Sequence, residues 1–137
     1  MADQFQFELV SPEALIFSKP AALVTVPGGE GDFGVLPGHA PLIATVRPGI
    51  IDVYEQEGVV SERIFVAGGF AEVTNERCTV LAEEAIPIAQ LDRAKIEQET
   101  ALLTEDKTLA KTDSERAAIE AKLAVAKAKL DAVAAAA

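Results

Sequence analysis

Cysteine and histidine are among the residue types nearly missing from this chain of 137 residues, which holds one of each, Cys78 and His39. A single cysteine cannot build an internal disulfide framework. One Cys with one His is too few ligands for a zinc site of the usual kind, so no metal is expected. Long apolar runs are missing too: no stretch of 18 residues is free of charge, so no membrane-spanning helix is expected. The opening MADQFQFELV has no basic segment followed by an apolar one, nor the Arg/Ser-rich, acid-poor character of a transit peptide. The expectation is a soluble chain that stays in the compartment where it is made. Positive charge is scarce, 12 Lys and Arg against 22 Asp and Glu for a net charge of −10. An acidic chain repels phosphate backbones, so nucleic acid is not an expected partner. No Gly-Lys-Ser/Thr triplet occurs, so there is no Walker A loop.

What is present divides in two. Residues 1–87 carry 4 basic against 13 acidic side chains, and residues 88–137 carry 8 against 9. The hydrophobic period changes at the same place. QFQFELV alternates, with Phe5, Phe7 and Leu9 on one side. Strand-like runs follow at 15–17, 22–26, 41–46, 49–55, 59–67, 70–74 and 78–84. Turn formers separate them: Ser11-Pro12, Gly28-Gly29, Pro37-Gly38, Pro48-Gly49, Gly58, Gly68-Gly69 and Asn75. Short strands at this spacing, with no helical pattern between them, predict an antiparallel sandwich or barrel, not βαβ units.

After Pro87 strand formers give way to Ala, Glu, Lys, Leu and Gln. A first helix is predicted from Ala89 or Gln90 to Ala110. A second, announced by Thr112-Asp113-Ser114-Glu115, runs to about Ala134, with Thr112 as cap and Glu115 reaching back. The link is short, so an antiparallel hairpin is expected. Ile119, Leu123, Ala126, Leu130 and Val133 form an apolar stripe about 80° wide. Lys122 and Lys129 flank one edge of it, Arg116 and Lys127 the other. The back face, Ala117, Ala121, Ala124, Ala128 and Ala132, is nearly bare. The bland reading is a solvated helix packed on its neighbour. The functional one is a helix of high intrinsic propensity that can leave its neighbour and meet another protein.

The stretch GGEGDFG, Gly28–Gly34, contains G-x-G-x-x-G after a strand-like run, and Asp52 follows roughly 20 residues on, as in a dinucleotide fingerprint. The fingerprint fails on its context. Such a loop must open a helix, whose N-terminus supplies N–H groups to the pyrophosphate. Here Pro37 and Pro41 interrupt any helix, and Glu30 and Asp32 would set two carboxylates beside the phosphates with no lysine to offset them. Cys78 lies in a strand-like run and reads as a small core residue. His39 stands alone in a turn, and Glu83 and Glu84 point to opposite sides of a strand. No enzyme site is found.

The segment VPGGEGDFGVLPGHAPLIATVRPG, Val26–Gly49, closely resembles the signature of the epsilon subunit of the F-type ATP synthase. That signature is a Pro/Gly turn, an acidic glycine-rich loop, then G-hydrophobic-hydrophobic-P-G-H-x-P-L and a later P-G. FVAGGFAEV (Phe65–Val73), CTVLAEEA (Cys78–Ala85) and the two-helix tail continue the resemblance over the whole chain. It implies an α+β protein, an N-terminal antiparallel flattened β-sandwich (1–87) followed by a C-terminal antiparallel two-helix hairpin (88–137). It implies a non-catalytic rotor subunit of the central stalk, coupling c-ring rotation to gamma and restraining ATP hydrolysis through its tail. Its place would be the cytoplasmic face of the bacterial inner membrane, as a peripheral protein.

Carried over by residue, the resemblance gives the c ring Glu30, Gly31 and Asp32. It gives gamma His39, Ala40, Pro41 and Leu42. Arg116, Lys122, Lys127 and Lys129 are the candidates for an acidic loop on beta in the alpha/beta catalytic head. Many bacterial relatives bind ATP through I/L-D-x-x-R-A. Here Leu91-Asp92 match, but Lys95 and Ile96 stand where Arg and Ala belong, and Lys lacks the bidentate fork of Arg. Alternatively Arg93-Ala94 is the same pair in another register, with the guanidinium about 200° round the helix. Asp92, Arg93 and Lys95 are thus the ATP candidates of a rival reading, a nucleotide sensor whose hairpin responds to ATP. No firm cofactor is assigned.

Overall fold

In a computed structural model of the chain, residues 4–56 and 58–136 are described. The chain divides into two compact units, residues 1–87 and 88–137. The first is built of β1 (Phe5–Val10), β2 (Leu15–Ala21), β3 (Leu23–Gly28), β4 (Gly31–Val35) and β5 (Leu42–Thr45), then β6 (Gly49–Gln56), β7 (Val59–Ala67), β8 (Phe70–Val73), β9 (Arg77–Leu81) and β10 (Glu84–Pro87). They form two five-stranded sheets, in the orders β2-β1-β9-β8-β5 and β10-β7-β6-β3-β4.

The core between the sheets follows from alternation. Phe5, Phe7 and Leu9 of β1 point inward, joined by Ala71, Val73, Cys78 and Val80 from the same sheet. The other sheet meets them with Val24, Val26, Val35, Ile51, Val53, Ile64 and Val66. Phe7 and Leu9 are fully buried, and truncating such a Phe to Ala costs about 3–5 kcal/mol. Burial pushes the Cys78 thiol up to about 12, so it is an unreactive core group.

Alternation alone misses three features. β1 pairs with β9 in parallel, inside a sheet otherwise antiparallel. The glycine-rich stretch forms a strand, β4, folded back on β3 around the two-residue turn Gly29-Glu30. The run expected over 78–84 is two strands: β9 ends at Leu81, and β10 joins the other sheet beside β7. At the break, Ala82 is buried and donates its N–H to Val10 O at 2.8 Å.

In the second unit a 3-10 turn, Ile88–Gln90, precedes α1 (Arg93–Leu109) and α2 (Asp113–Ala136). α1 starts three residues or more after the expected point because Asp92 is its cap. Asp92 is extended, and its carboxylate accepts from Ala94 N–H at 3.0 Å and Lys95 N–H at 3.3 Å. Thr112 caps α2 by accepting from Glu115 N–H, while Glu115 reaches back to the N–H of Lys111, one residue before the cap. α1 and α2 pack on each other, and Lys107 pairs with Glu120 across the hairpin at 3.2 Å. Ile119, Leu123, Leu130 and Val133 are half-buried and Ala126 is buried. Ala132, expected on the bare face, is also buried, and Lys129, expected at an edge of the apolar stripe, is only 9% exposed. The expected unit 88–137 ends on Ala137, which lies outside the described residues.

Candidate functional site

Glu30 sits exposed at the apex of the β3–β4 hairpin and makes no ion pair among the described residues. Gly31 follows at φ +143°, backbone that a side chain would strain. Gly28 on the opposite arm is buried, and a Cβ there would meet Gly31 O at 2.6 Å and the Phe33 ring at 2.9 Å. The glycines thus permit the close crossing of two backbones at a hairpin tip. No helix follows them, and the dinucleotide reading has no support.

Asp32, the second expected acid, is not free. It accepts a hydrogen bond from Arg47 Nη2, while Arg47 Nη1 donates to Gly28 O at 2.6 Å. The Arg47 backbone N–H donates to Pro27 O at 2.9 Å, and Gly29 N–H donates to Thr45 O at 2.9 Å. A groove of about 420 Å³ opens between the tip and β5, lined by Gly28–Phe33 and Leu42–Thr45. The structure therefore brings together two segments that the sequence resemblance assigned to different partners, the acidic tip and Leu42.

His39 closes a tight turn. Its N–H donates to Leu36 O at 3.1 Å, with Pro37 and Gly38 between and Gly38 at φ +79°, the arrangement of a type II turn. His39 Nδ1 lies 2.6 Å from Ala40 O; a carbonyl can only accept, so Nδ1 carries the proton. Ala40, Pro41 and Leu42 are exposed and lead into β5, an edge strand.

The outer face of the first sheet holds a feature that sequence reasoning missed. Register pairs Thr45 with Phe70, Phe70 with Leu81, Leu81 with Val10, and Val10 with Leu15. An apolar row thus crosses the sheet on the side away from the core, with Leu15, Phe70 and Leu81 exposed by 57, 55 and 46%. Ile43 on β5 adds to the apolar surface at 73%. The signal was available: these residues alternate with the core-facing Leu9, Ala71 and Val80. Arg47 was missed as well, although it is one of only 4 basic residues in 1–87.

The ATP candidates are not gathered into a site. The Asp92 carboxylate is occupied as a helix cap, Arg93 Nε pairs with Glu97 at 3.2 Å, and Lys95 is exposed. On α2, Lys122 and Lys127 are exposed, Arg116 pairs with Asp113 at 3.0 Å, and Lys129 is buried. Among the described residues no three His, Cys, Asp or Glu side chains gather as a metal cluster, and no helix is long and apolar enough to cross a membrane.

A two-sheet β-sandwich followed by two packed helices is the α+β build that the family resemblance implied. Residues 4–88 match the family model of the β-sandwich domain of the ATP synthase delta/epsilon chain, and residues 92–137 match that of the C-terminal domain of the ATP synthase epsilon chain. The protein belongs to the epsilon-chain family of the F-type ATP synthases, and as such is an accessory, non-catalytic subunit. It is 59% identical to the ATP synthase epsilon chain of Rhodospirillum centenum over 138 residues, 98% of this chain and 94% of that one. It is 51% identical to that of Paramagnetospirillum magneticum over 134 residues, 98% and 100% of the two. Among solved structures, a subunit in the mitochondrial ATP synthase of Euglena gracilis, determined with OSCP, F1 and the c-ring, superposes with a TM-score of 0.81 at 25% identity, covering 95% of this chain and 81% of that one.

Proposed function

We propose that the protein is a rotor element that couples rotation of the c ring to gamma, as a peripheral subunit at the cytoplasmic face of a bacterial inner membrane. The observation that carries this reading is the apolar row Val10–Leu15–Phe70–Leu81. A row of large side chains left in water across four neighbouring strands is a docking surface, and its natural occupant is an apolar face of gamma. The edge strand β5 and the turn His39-Ala40-Pro41-Leu42 extend that surface. The acidic hairpin tip Glu30-Gly31-Asp32 meets the polar loops of the c ring, where a carboxylate suits basic side chains. The sandwich supplies a stiff foot for transmitting torque. The hairpin, through the exposed Lys122 and Lys127, meets the alpha/beta head and restrains hydrolysis.

The test is a pull-down of the tagged protein from detergent-solubilised membranes. Gamma, the alpha/beta head and the c ring should co-purify, and Phe70→Glu with Leu81→Glu should abolish their recovery while the soluble variant stays folded. Recovery of unrelated soluble proteins only would overturn the reading. The braking role is tested separately: deleting residues 112–137 in the assembled enzyme should raise ATPase activity at low membrane potential, and an unchanged rate would remove it.

A further inference from the structure

We propose that Arg47 is a positioning residue that locks the hairpin tip to the strand leaving β5, so that Glu30 alone is presented as a free carboxylate. Three bonds converge on this one residue. Its backbone N–H holds Pro27 O, Nη1 holds Gly28 O, and Nη2 holds the Asp32 carboxylate. It therefore grips β3 on one side of the Gly29-Glu30 turn and β4 on the other. Arg47 also occupies the link between β5 and β6, where the backbone passes from one sheet to the other. The neighbouring Val46 is buried and bridges Gly28, and Gly29 is bonded to Thr45. The tip is laced along its base to residues 45–47.

An exposed ion pair alone would contribute little, since the Arg47 and Asp32 side chains are 44 and 71% exposed. Geometry is what the arginine adds. Its planar fork addresses a carbonyl and a carboxylate on opposite arms of the turn at once, in a fixed geometry that the single ammonium of a lysine does not impose. The turn itself is soft, with glycine at three of its four positions, Gly28, Gly29 and Gly31. A soft turn makes a poor strut. The Arg47 lock turns it into a fixed lever joined to β5, the edge of the apolar docking sheet, so that force on Glu30 is passed to the face that would hold gamma. Asp32 is then a structural acid, and the expected pair of ring-facing carboxylates reduces to one.

This inference rests on the ring-contact reading above, and two measurements separate their failures. The first is amide hydrogen exchange in the full-length protein. Arg47→Ala should speed exchange of the Gly29 amide at least about tenfold while amides of β6 and β7 are unchanged. Arg47→Lys should fall between, and Arg47→Ala with Asp32→Asn should be no faster than Arg47→Ala alone. Unchanged Gly29 exchange, or equal acceleration in β6 and β7, overturns the lock.

The second measurement is proton pumping per ATP hydrolysed by the assembled complex in inverted vesicles, with equal amounts of the bound subunit verified. Arg47→Ala should lose roughly half or more of the pumping, and Arg47→Lys should recover part of it, because a loosely held contact residue is misplaced. Glu30→Gln should lose it as well. If neither Arg47→Ala nor Glu30→Gln alters pumping, the ring-contact reading fails while the lock stands on exchange. If Glu30→Gln alters it and Arg47→Ala does not, the positioning role is overturned.

Discussion

Asp52 on β6 faces Arg63 on β7, in register across the second sheet. Arg63 Nε lies 3.3 Å from Asp52 Oδ1, yet that buried oxygen accepts no hydrogen bond among the described residues. Burial raises the Asp52 carboxyl above its ordinary value of 3.8, and the Arg63 charge only partly opposes this. A carboxyl whose folded pKa is raised binds its proton more tightly folded than unfolded. Its contribution to stability is therefore fully present below 3.8 and lost as pH rises through the raised folded value. Asp52→Asn should melt higher than the native protein near pH 8, with the gap closing as pH falls to about 4. Thermal melts across that range check it, and a gap that stays constant or widens would be contrary. A second residue-scale contrast concerns glycines. Gly69 has φ +99° and a Cβ there would overlap Leu81 O, whereas Gly31, at φ +143°, has open space around it. Gly69→Ala should cost about 3 kcal/mol or more in urea unfolding, and Gly31→Ala only about 1 kcal/mol from backbone strain. Equal costs would refute the steric account. Gly69 could be read from the sequence as a turn former, and Gly31 as part of the acidic glycine-rich loop. Which one lies against a carbonyl could not, because Leu81 is on another strand.

At the scale of elements, the signals that worked were local. The capping residue Thr112 was readable because a cap bonds to residues two or three ahead. Strand β7 falls where its alternation and the flanking Gly58 and Gly68 place it, Val59–Ala67. What failed was set by distant partners. β4 is a poor strand by composition, GDFGV, and exists because β3 offers it a ladder over Val24–Gly28. β10 is separated from β9 because the backbone must change sheets, which no local pattern records. The candidate site shares this split. The family motif singles out Glu30 and His39, whereas it gives no sign of the Arg47 bond to Asp32, a contact 15 residues away. The capping assignment at Asp92 has a testable consequence. Asp92→Ala should weaken the helical unit by about 1 kcal/mol, seen as faster exchange of the Ala94 and Lys95 amides. In the native protein added ATP should leave the exchange of both amides unchanged, since the Asp92 carboxylate is already held by the backbone. Slower exchange with ATP would reopen the nucleotide-sensor reading.

For the molecule as a whole, the two units differ in how much of each is core. Every residue of the main buried cluster lies between Phe5 and Ala82. The helices rely on less: Ile96, Ala126, Lys129 and Ala132 are the buried residues of α1 and α2 among those described. Leu102 and Leu109 on α1 stay 62 and 68% exposed, and Thr100 and Thr104 on the same helix turn their hydroxyls back to the carbonyls of Ile96 and Thr100. Isolated helices of this length are marginal in water without an apolar partner, even with good caps and abundant alanine. Residues 1–87 expressed alone should unfold in one cooperative transition within a few degrees of the sandwich transition of the full-length protein, whereas residues 88–137 alone should be less than about half helical at 25 °C by circular dichroism. The difference matters for function. In the proposed role, a foot that transmits torque must keep its shape when its tail is absent, and a tail that brakes must be able to change partners at low cost. A fragment 88–137 that is fully helical and melts cooperatively would mean that the hairpin is a rigid body in its own right. A fragment 1–87 that fails to fold would mean that the foot and the tail are one structure, and the division of labour between them would be lost.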